Sequence, residues 1–497
     1  MCTMPNYYGK SHMRNPYLHV ISLSKVIIHW KPLLLFSVKS TVSGTLISVF
    51  YLLFYCIYVA VSMEVHISET TTVELGIVPD GEAALREYIS NKTSAGSGRK
   101  DYDDPFHVVD LGRVLELHRD WVTALPTITP FYAIKCNNDP ALLKTLAALG
   151  TGFDCASKPE IKAVLDMGVS PDRIIYAHPS KQVSHIKYAV TEYVDKIVFD
   201  GEEEMYKIQK HFPSAKLVLR IRADDPDAKF PHGMKFGCTV PEGRDLLSTA
   251  KSLGLDVIGV CFHVGTGSQS SRAYELALKM SVELFEYGYE IGYQFSLLDI
   301  GGGFYGDRGS KDVFQRVASA INSSLDSLFS SFPGLTVIAE PGAFFACSTH
   351  SIAVNIVNKK SRDKEGHREF VYYVNDVPNG SLDCFRYTTP DPFLFKDYSG
   401  PLYSTCLWGP TLSPLDKLGD VQLPELSIGD WICFHDVGAY SLAVTTNFNG
   451  FPKTKSYYYT LPWRTRISYE SCYFQISSLP PPNQLLTDYN LCCIDGF

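Results

Sequence analysis

The chain has 497 residues, of which 45% are hydrophobic and 20% charged, with a formal net charge of -8. That is ample material for a large core and two domains, and the lack of a basic excess argues against nucleic acid as the main partner. The 13 cysteines are scattered without a C-x-x-C pair, so neither a metal site nor a disulfide framework is indicated and a reducing compartment is the simpler setting.

Residues 1–62 form an N-terminal extension. Within it Gly44 to Val61 carries no charge and is long enough to cross a bilayer, with Lys25, Lys31 and Lys39 upstream. Two readings stand: a membrane anchor, or an extension upstream of a cytoplasmic protein that starts near Met63. Residues 63–109 are expected to supply strands to a β domain.

From Phe106 to Cys347 short apolar runs alternate with helical periods, beginning with PFHVVDL and FYAIK and ending with FSLLDIGGG and LTVIAEPG. About eight such units in roughly 240 residues suit a closed (β/α)8 TIM barrel, assigned to 110–348. After Ser348 the segments become β-rich with Pro and Gly turns, which predicts an antiparallel β domain over 349–465. Residues 466–497 form a tail without a pattern.

Several strand ends carry chemistry. FYAIKCN places Lys135 at a strand end, where its amine can be desolvated, lowering its pKa and making it a Schiff-base former. GTGFDCASKPE brings Asp154 and Glu160, acids that can orient the lysine or simply cap the following helix. FHVGTGS places His263 at a strand mouth, where an imidazole can stack on a flat cofactor, with the Thr266 hydroxyl behind it. DIGGGF exposes the consecutive N–H groups of Gly301, Gly302 and Gly303, which can cradle a phosphate. AEPG sets Glu340 where a carboxylate can pair with a protonated pyridine nitrogen.

The ordered series FYAIKCN, GTGFDCASKPE, LVLRI, FHVGTGS, DIGGGF, AEPG, VNDVPNGS, WGP and GAYSLAVTTNFNGF closely resembles eukaryotic ornithine decarboxylase and its relatives, including the antizyme inhibitors. The resemblance covers roughly Met63 to Thr460. It implies an alanine-racemase-like barrel with a β domain, pyridoxal 5'-phosphate as cofactor, and a homodimer whose active sites are shared at the interface. It further implies that Lys135 forms the Schiff base, Glu340 binds the pyridine nitrogen and His263 stacks on the ring. Asp154, Glu160 and Arg220 would support the lysine and ring, and Gly301, Gly302, Gly303, Thr266 and Tyr440 would hold the phosphate.

The departures from that pattern fall mostly at the substrate end. Where the family has a phosphate-binding arginine this chain has Ala343, and a tyrosine is replaced by Asn379 in VNDVPNGS, although Asp376 and Gly380 remain. The segment after WGP carries Leu412 and Ser413 in place of a catalytic cysteine and a diamine-binding aspartate. A second acid is replaced by Thr388. A buried ammonium without a partner is strongly disfavoured, so the altered pocket points to a neutral amino acid as the small-molecule substrate. The alternative is an antizyme-inhibitor-like protein that binds antizyme; Lys187, Lys207 and Lys210 stand where the family's antizyme-binding element is basic, diluted by Glu192, Glu202, Glu203 and Glu204.

Overall fold

The computed structural model describes residues 63–68, 71–77, 86, 89, 90 and 102–460, apart from 224, 226, 227, 229–234, 269, 365, 387–390 and 395. The apolar segment 44–61 and the tail 466–497 lie outside the described residues. Among the described residues no helix is long and apolar enough to cross a membrane.

Eight short strands close into a parallel barrel: β4 (Ile128–Ala133), β5 (Gly152–Cys155), β6 (Ile174–Tyr176), β7 (Lys196–Phe199), β8 (Lys216–Arg220), β9 (Asp256–Cys261), β10 (Leu297–Asp299) and β11 (Thr336–Ala339). They read as unbroken apolar runs because both faces are buried. Phe131, Ile175, Val198, Val218, Leu297 and Ile338 fill the interior of the barrel. Outside it lie helices α1 (Leu111–Ala124), α2 (Pro140–Ala148), α3 (Lys158–Asp166), α4 (Val183–Thr191), α5 (Glu202–His211), α6 (Val240–Ser252), α7 (Ser271–Glu290), α8 (Lys311–Leu328) and the single turn α9 (Ala343–Ala346).

Several helix starts are written in the sequence. Asp139 caps α2 by accepting from the N–H groups of Ala141 and Leu142 with Pro140 in the first turn, and Thr239 with Glu242 forms a capping box on α6. Trp121 of α1 locks the barrel's closing seam: its indole N–H donates to Ile128 O at 2.9 Å, and Phe304, Phe314 and Phe344 surround its ring.

The second sheet is built from both ends of the chain. Strands β1 (Met63–Ser68), β2 (Thr71–Ile77) and β3 (Phe106–Asp110) precede the barrel; β12 (His350–Lys364), β13 (His367–Val374), β14 (Pro392–Phe393), β15 (Tyr403–Trp408), β16 (Lys417–Leu423), β17 (Trp431–Phe434) and β18 (Lys455–Thr460) follow it. The main path runs β1-β2-β18-β3-β12-β13-β15-β16, with β17 on β12 and β14 on β17. Most neighbours are antiparallel, as expected, but β18 runs parallel to β2 and β3, and β13 parallel to β15. Phe106–Asp110, which opens the βα series in the sequence, is therefore not a barrel strand. It pairs with β12 so that Val109 faces His350, joining barrel entry to barrel exit.

Candidate active site

Strand β4 ends in one 3-10 turn, Ile134–Cys136, which carries Lys135 just past the C-terminal edge of the barrel. Its neighbours Ile134 and Cys136 are buried, yet 39% of the Lys135 side chain is accessible. Nζ is ion-paired with Oδ2 of Asp154, which sits on β5 directly beside Ala133 in the strand register. Asp154 is fully buried and its Oδ1 has no hydrogen-bond partner. The sequence suggested that burial would depress the lysine pKa. Burial is the largest single influence and does push it down, but Asp154, Glu340 and Tyr440 together outweigh it and hold the pKa above the ordinary lysine value. The amine is thus kept as an ammonium and must give up its proton before it can attack.

The two acids of GTGFDCASKPE divide the roles that the sequence left open. Asp154 faces the lysine, whereas Glu160, in the first turn of α3, accepts from Ala156 N at 2.5 Å beside the N-cap Ser157. Burial raises the Glu160 pKa.

The remaining strand ends converge on the same edge. Glu340 follows β11 and is nearly buried, and its N–H donates to Gly301 O at 2.7 Å. Burial, with the charges of Asp154 and Asp299, raises its pKa well above the carboxylate range; Lys135 and Arg220 oppose that rise. Arg220 ends β8, its guanidinium lying 5.3 Å from the centre of the Phe236 ring. His263 accepts from Gly265 N–H through Nδ1 at 3.0 Å, and a side chain on Gly302 would come within 2.9 Å of its Nε2. The ring therefore lies against the glycine run.

Glycine is required at 301 and 303, where φ is 65° and 109°. A Cβ at 301 would lie 2.0 Å from Phe262 O, and one at 303 would lie 2.8 Å from Gly265 O. The run offers fewer donors than its sequence suggests, because Gly301 N–H is committed to Asp299 Oδ1 at 2.8 Å. That leaves Gly302 and Gly303 to supply the donors expected of the run. Tyr440, half-buried and with φ of 51°, shares a hydrogen bond with the Thr266 hydroxyl. A pocket with a lysine–carboxylate pair, an unsatisfied acidic oxygen, a glycine cradle and two hydroxyls has the donor set for a phosphorylated aromatic aldehyde.

The family described as "Pyridoxal-dependent decarboxylase, pyridoxal binding domain" matches residues 111–347. Antizyme inhibitor 2 of Xenopus laevis is 44% identical over 400 residues, covering 78% of this chain and 87% of that protein. Ornithine decarboxylase of Mus pahari is 43% identical over 397 residues, covering 77% and 86%. The chain belongs to the ornithine decarboxylase family. Among solved structures, the arginine decarboxylase of Paramecium bursaria Chlorella virus superposes with a TM-score of 0.71 at 37% identity, covering 75% of this chain and 100% of that one. The fold is that of the pyridoxal phosphate-dependent decarboxylases, and pyridoxal phosphate is the cofactor that the residues present fit.

Of the positions expected at the substrate end, Asn379, Leu412 and Ser413 lie on the β domain. Leu412 is 88% exposed on a loop pinned by its own N–H to Asn449 Oδ1 at 2.9 Å. Ser413 N–H donates to Thr411 Oγ1 at 3.2 Å. The Asn379 carbonyl accepts from both the N–H and the hydroxyl of Thr446. Thr388 lies outside the described residues. Asp376, retained from the family pattern, is buried and bonded to Ser381 and Thr454, a structural knot. Ala343 is the first residue of α9.

Sequence reasoning missed three groups in this region. Tyr274 donates to Gly302 O at 2.9 Å and steadies the cradle, but in the sequence it is one more apolar residue of a helical stripe. Asp299 was visible at the head of DIGGGF without an assigned role. Asn137 and His350, both fully buried, are bonded to each other across 213 residues of chain, a separation at which spacing carries no signal.

Proposed function

We propose that this protein decarboxylates an amino acid without a cationic side chain, using pyridoxal phosphate. The observation that carries the reading is Lys135 paired with buried Asp154 and flanked by buried Glu340 beside the glycine run, while Leu412 and Ser413 bring neither thiol nor carboxylate to the substrate end. When bound, the cofactor supplies an aldehyde for the amine and a protonated ring that draws electrons from the bond to the departing carboxylate. Lys135 is the residue to which the cofactor would attach, and Asp154 holds its Nζ. Glu340 is the counter-charge for the ring nitrogen, and Arg220 moderates the buried acids around it. His263 gives the aromatic face, and Gly302, Gly303, Thr266 and Tyr440 take the phosphate.

A distal ammonium on the substrate would have to be desolvated opposite a leucine and a serine, which favours neutral amino acids. The exposed Leu412, Leu415, Phe448 and Phe451 on adjoining loops support a homodimer that covers them and shares its active sites at the interface. A second reading, antizyme binding, is favoured by the similarity to antizyme inhibitor 2 and by exposed Lys187 on α4 and Lys210 on α5. Lys207 contributes less than expected, because it is ion-paired with Glu204.

The test is the visible absorbance band of purified protein mixed with pyridoxal phosphate, with and without Lys135→Ala. A band that Lys135→Ala leaves unchanged, or no band at all, overturns the reading. Carbon dioxide release is then measured for ornithine, lysine, arginine, leucine and other neutral amino acids; ornithine turned over as fast as the best neutral substrate would refute the altered specificity. Capture of antizyme by the unmutated protein, lost on Lys187→Glu with Lys210→Glu, would support the second reading.

A further inference from the structure

Behind the Lys135 turn is a buried polar wire that the proposed chemistry does not use. Its centre is His350, the first residue of β12, which is 0% exposed, as is Asn137. Asn137 Nδ2 donates to Gly438 O at 2.8 Å and lies 3.2 Å from His350 Nε2, while Asn137 Oδ1 accepts from Asp139 N at 2.9 Å. A carbonyl on one side and an N–H on the other allow only one orientation of the amide, so His350 Nε2 must be the acceptor. Its Nδ1–H then donates to Thr349 Oγ1 at 2.7 Å, whose own hydrogen goes to Ala346 O at 2.7 Å. Every donor and acceptor along the wire is matched.

The wire ties two loops from different domains. On one side Asn137 directly follows the turn that carries Lys135, and its carbonyl accepts from the Tyr132 hydroxyl at 2.9 Å. On the other, Gly438 sits so close to the imidazole that a Cβ would come within 2.8 Å of His350 Nδ1 and 1.8 Å of Ala346 O. Two residues later Tyr440 N–H donates to Cys136 O at 2.9 Å, closing the circuit back to the Lys135 turn. His107 of β3 backs the imidazole from the far side, ring centres 6.0 Å apart, with neither of its own nitrogens hydrogen-bonded.

We propose that His350 is a positioning residue that acts through Asn137 to set the distance between the lysine that attaches the cofactor and the tyrosine that holds its phosphate. The inference rests on the reading of Lys135 and Tyr440 as the two ends of the cofactor site. His350 reaches neither end itself. Its imidazole instead fixes the one amide that spans both loops, in the way that outer groups orient the residues that make the contacts. His350→Gln keeps an acceptor near the Nε2 position, whereas His350→Phe and Asn137→Ala remove the link.

The experiment has two arms on the full chain. In the first, pyridoxal phosphate affinity is titrated by absorbance for the unmutated protein, His350→Phe, Asn137→Ala, the double variant and His350→Gln. Each single loss should weaken binding about tenfold or more, the size of one orphaned buried hydrogen bond, with the double variant no worse than the weaker single and His350→Gln partly rescued. In the second arm, amide hydrogen exchange without cofactor should speed up at 134–137 and 437–440 in His350→Phe while β12 and β13 stay protected. Additive losses, or faster exchange spread evenly over the β domain, would overturn the proposal and leave His350 a plain core residue. If the unmutated protein binds no cofactor, the exchange arm still decides the coupling of the two loops, and it is the reading of the site that falls.

Discussion

The sharpest chemical question is the phosphate end, where Ala343 stands in place of the family's arginine, and Ala343→Arg tests it. The site already holds three acids, Asp154, Asp299 and Glu340, against two bases, Lys135 and Arg220, and burial, with the charges of Asp154 and Asp299 adding to it, raises the pKa of Glu340. A bound phosphate would add further negative charge, met in the proposed site by the N–H groups of Gly302 and Gly303 and the hydroxyls of Thr266 and Tyr440. Residue 343 lies three positions beyond Glu340, whose N–H is bonded to Gly301, and the next carbonyl, Phe344 O, packs against Gly306, so the position adjoins the cradle. One charge-assisted hydrogen bond there is worth about 1.5–3 kcal/mol, or roughly 10- to 150-fold in dissociation constant. Titrating Ala343→Arg with pyridoxal phosphate and with pyridoxal separates the effect: the phosphorylated ligand should gain that factor and the unphosphorylated one nothing. An equal gain for both, or none for either, would refute the assignment of the phosphate to this edge.

Other outcomes follow from the same geometry. Leu412→Cys combined with Ser413→Asp should raise ornithine turnover relative to leucine by at least about tenfold, read as the ratio of kcat/KM, since one supplied carboxylate removes the desolvation penalty of the distal ammonium. Gly301→Ala forces φ of 65° on alanine and a Cβ 2.0 Å from Phe262 O, so its urea midpoint should fall by the equivalent of about 2 kcal/mol or more, with cofactor binding lost. Burial holds His118 and His350 near pKa 4, below the ordinary histidine value. The unfolded chain therefore binds more protons between about pH 6.5 and 4, so the stability these groups confer is complete above that window and drains away through it. Thermal melts across it should fall with acid, less steeply in His350→Gln.

Much of the barrel is legible because each parallel strand must be apolar on both faces and the fold puts its working residues at strand ends. Lys135, Asp154, His263, the glycine run and Glu340 therefore appear in order as breaks in apolar runs. What is illegible is partnership. FHVVD is as apolar as any barrel strand, so only its place ahead of residue 110 assigns it to the β domain, and its partner strand is given only by the register Val109 to His350. Glu160 looks like a second acid for the lysine, and its bond to Ala156 is decided by where the α3 turn points. The charge on Lys135 depends on how many carboxylates converge from β5 and β11, which strand spacing along the chain does not reveal.

The place of β18 has a consequence for how the molecule is made. That strand, the last of the described residues, lies between β2 and β3, so the sheet that flanks the barrel has a vacant slot until residue 460 is available. The barrel strands, all between 128 and 339, are complete long before that. On the ribosome the barrel can close as a unit while β2 and β3 wait with unpaired edges, exposed to chaperones and to other chains. A premature stop just ahead of β18, removing residues 455–497, would thus leave every proposed cofactor contact encoded and still release a protein with an open seam in its β domain.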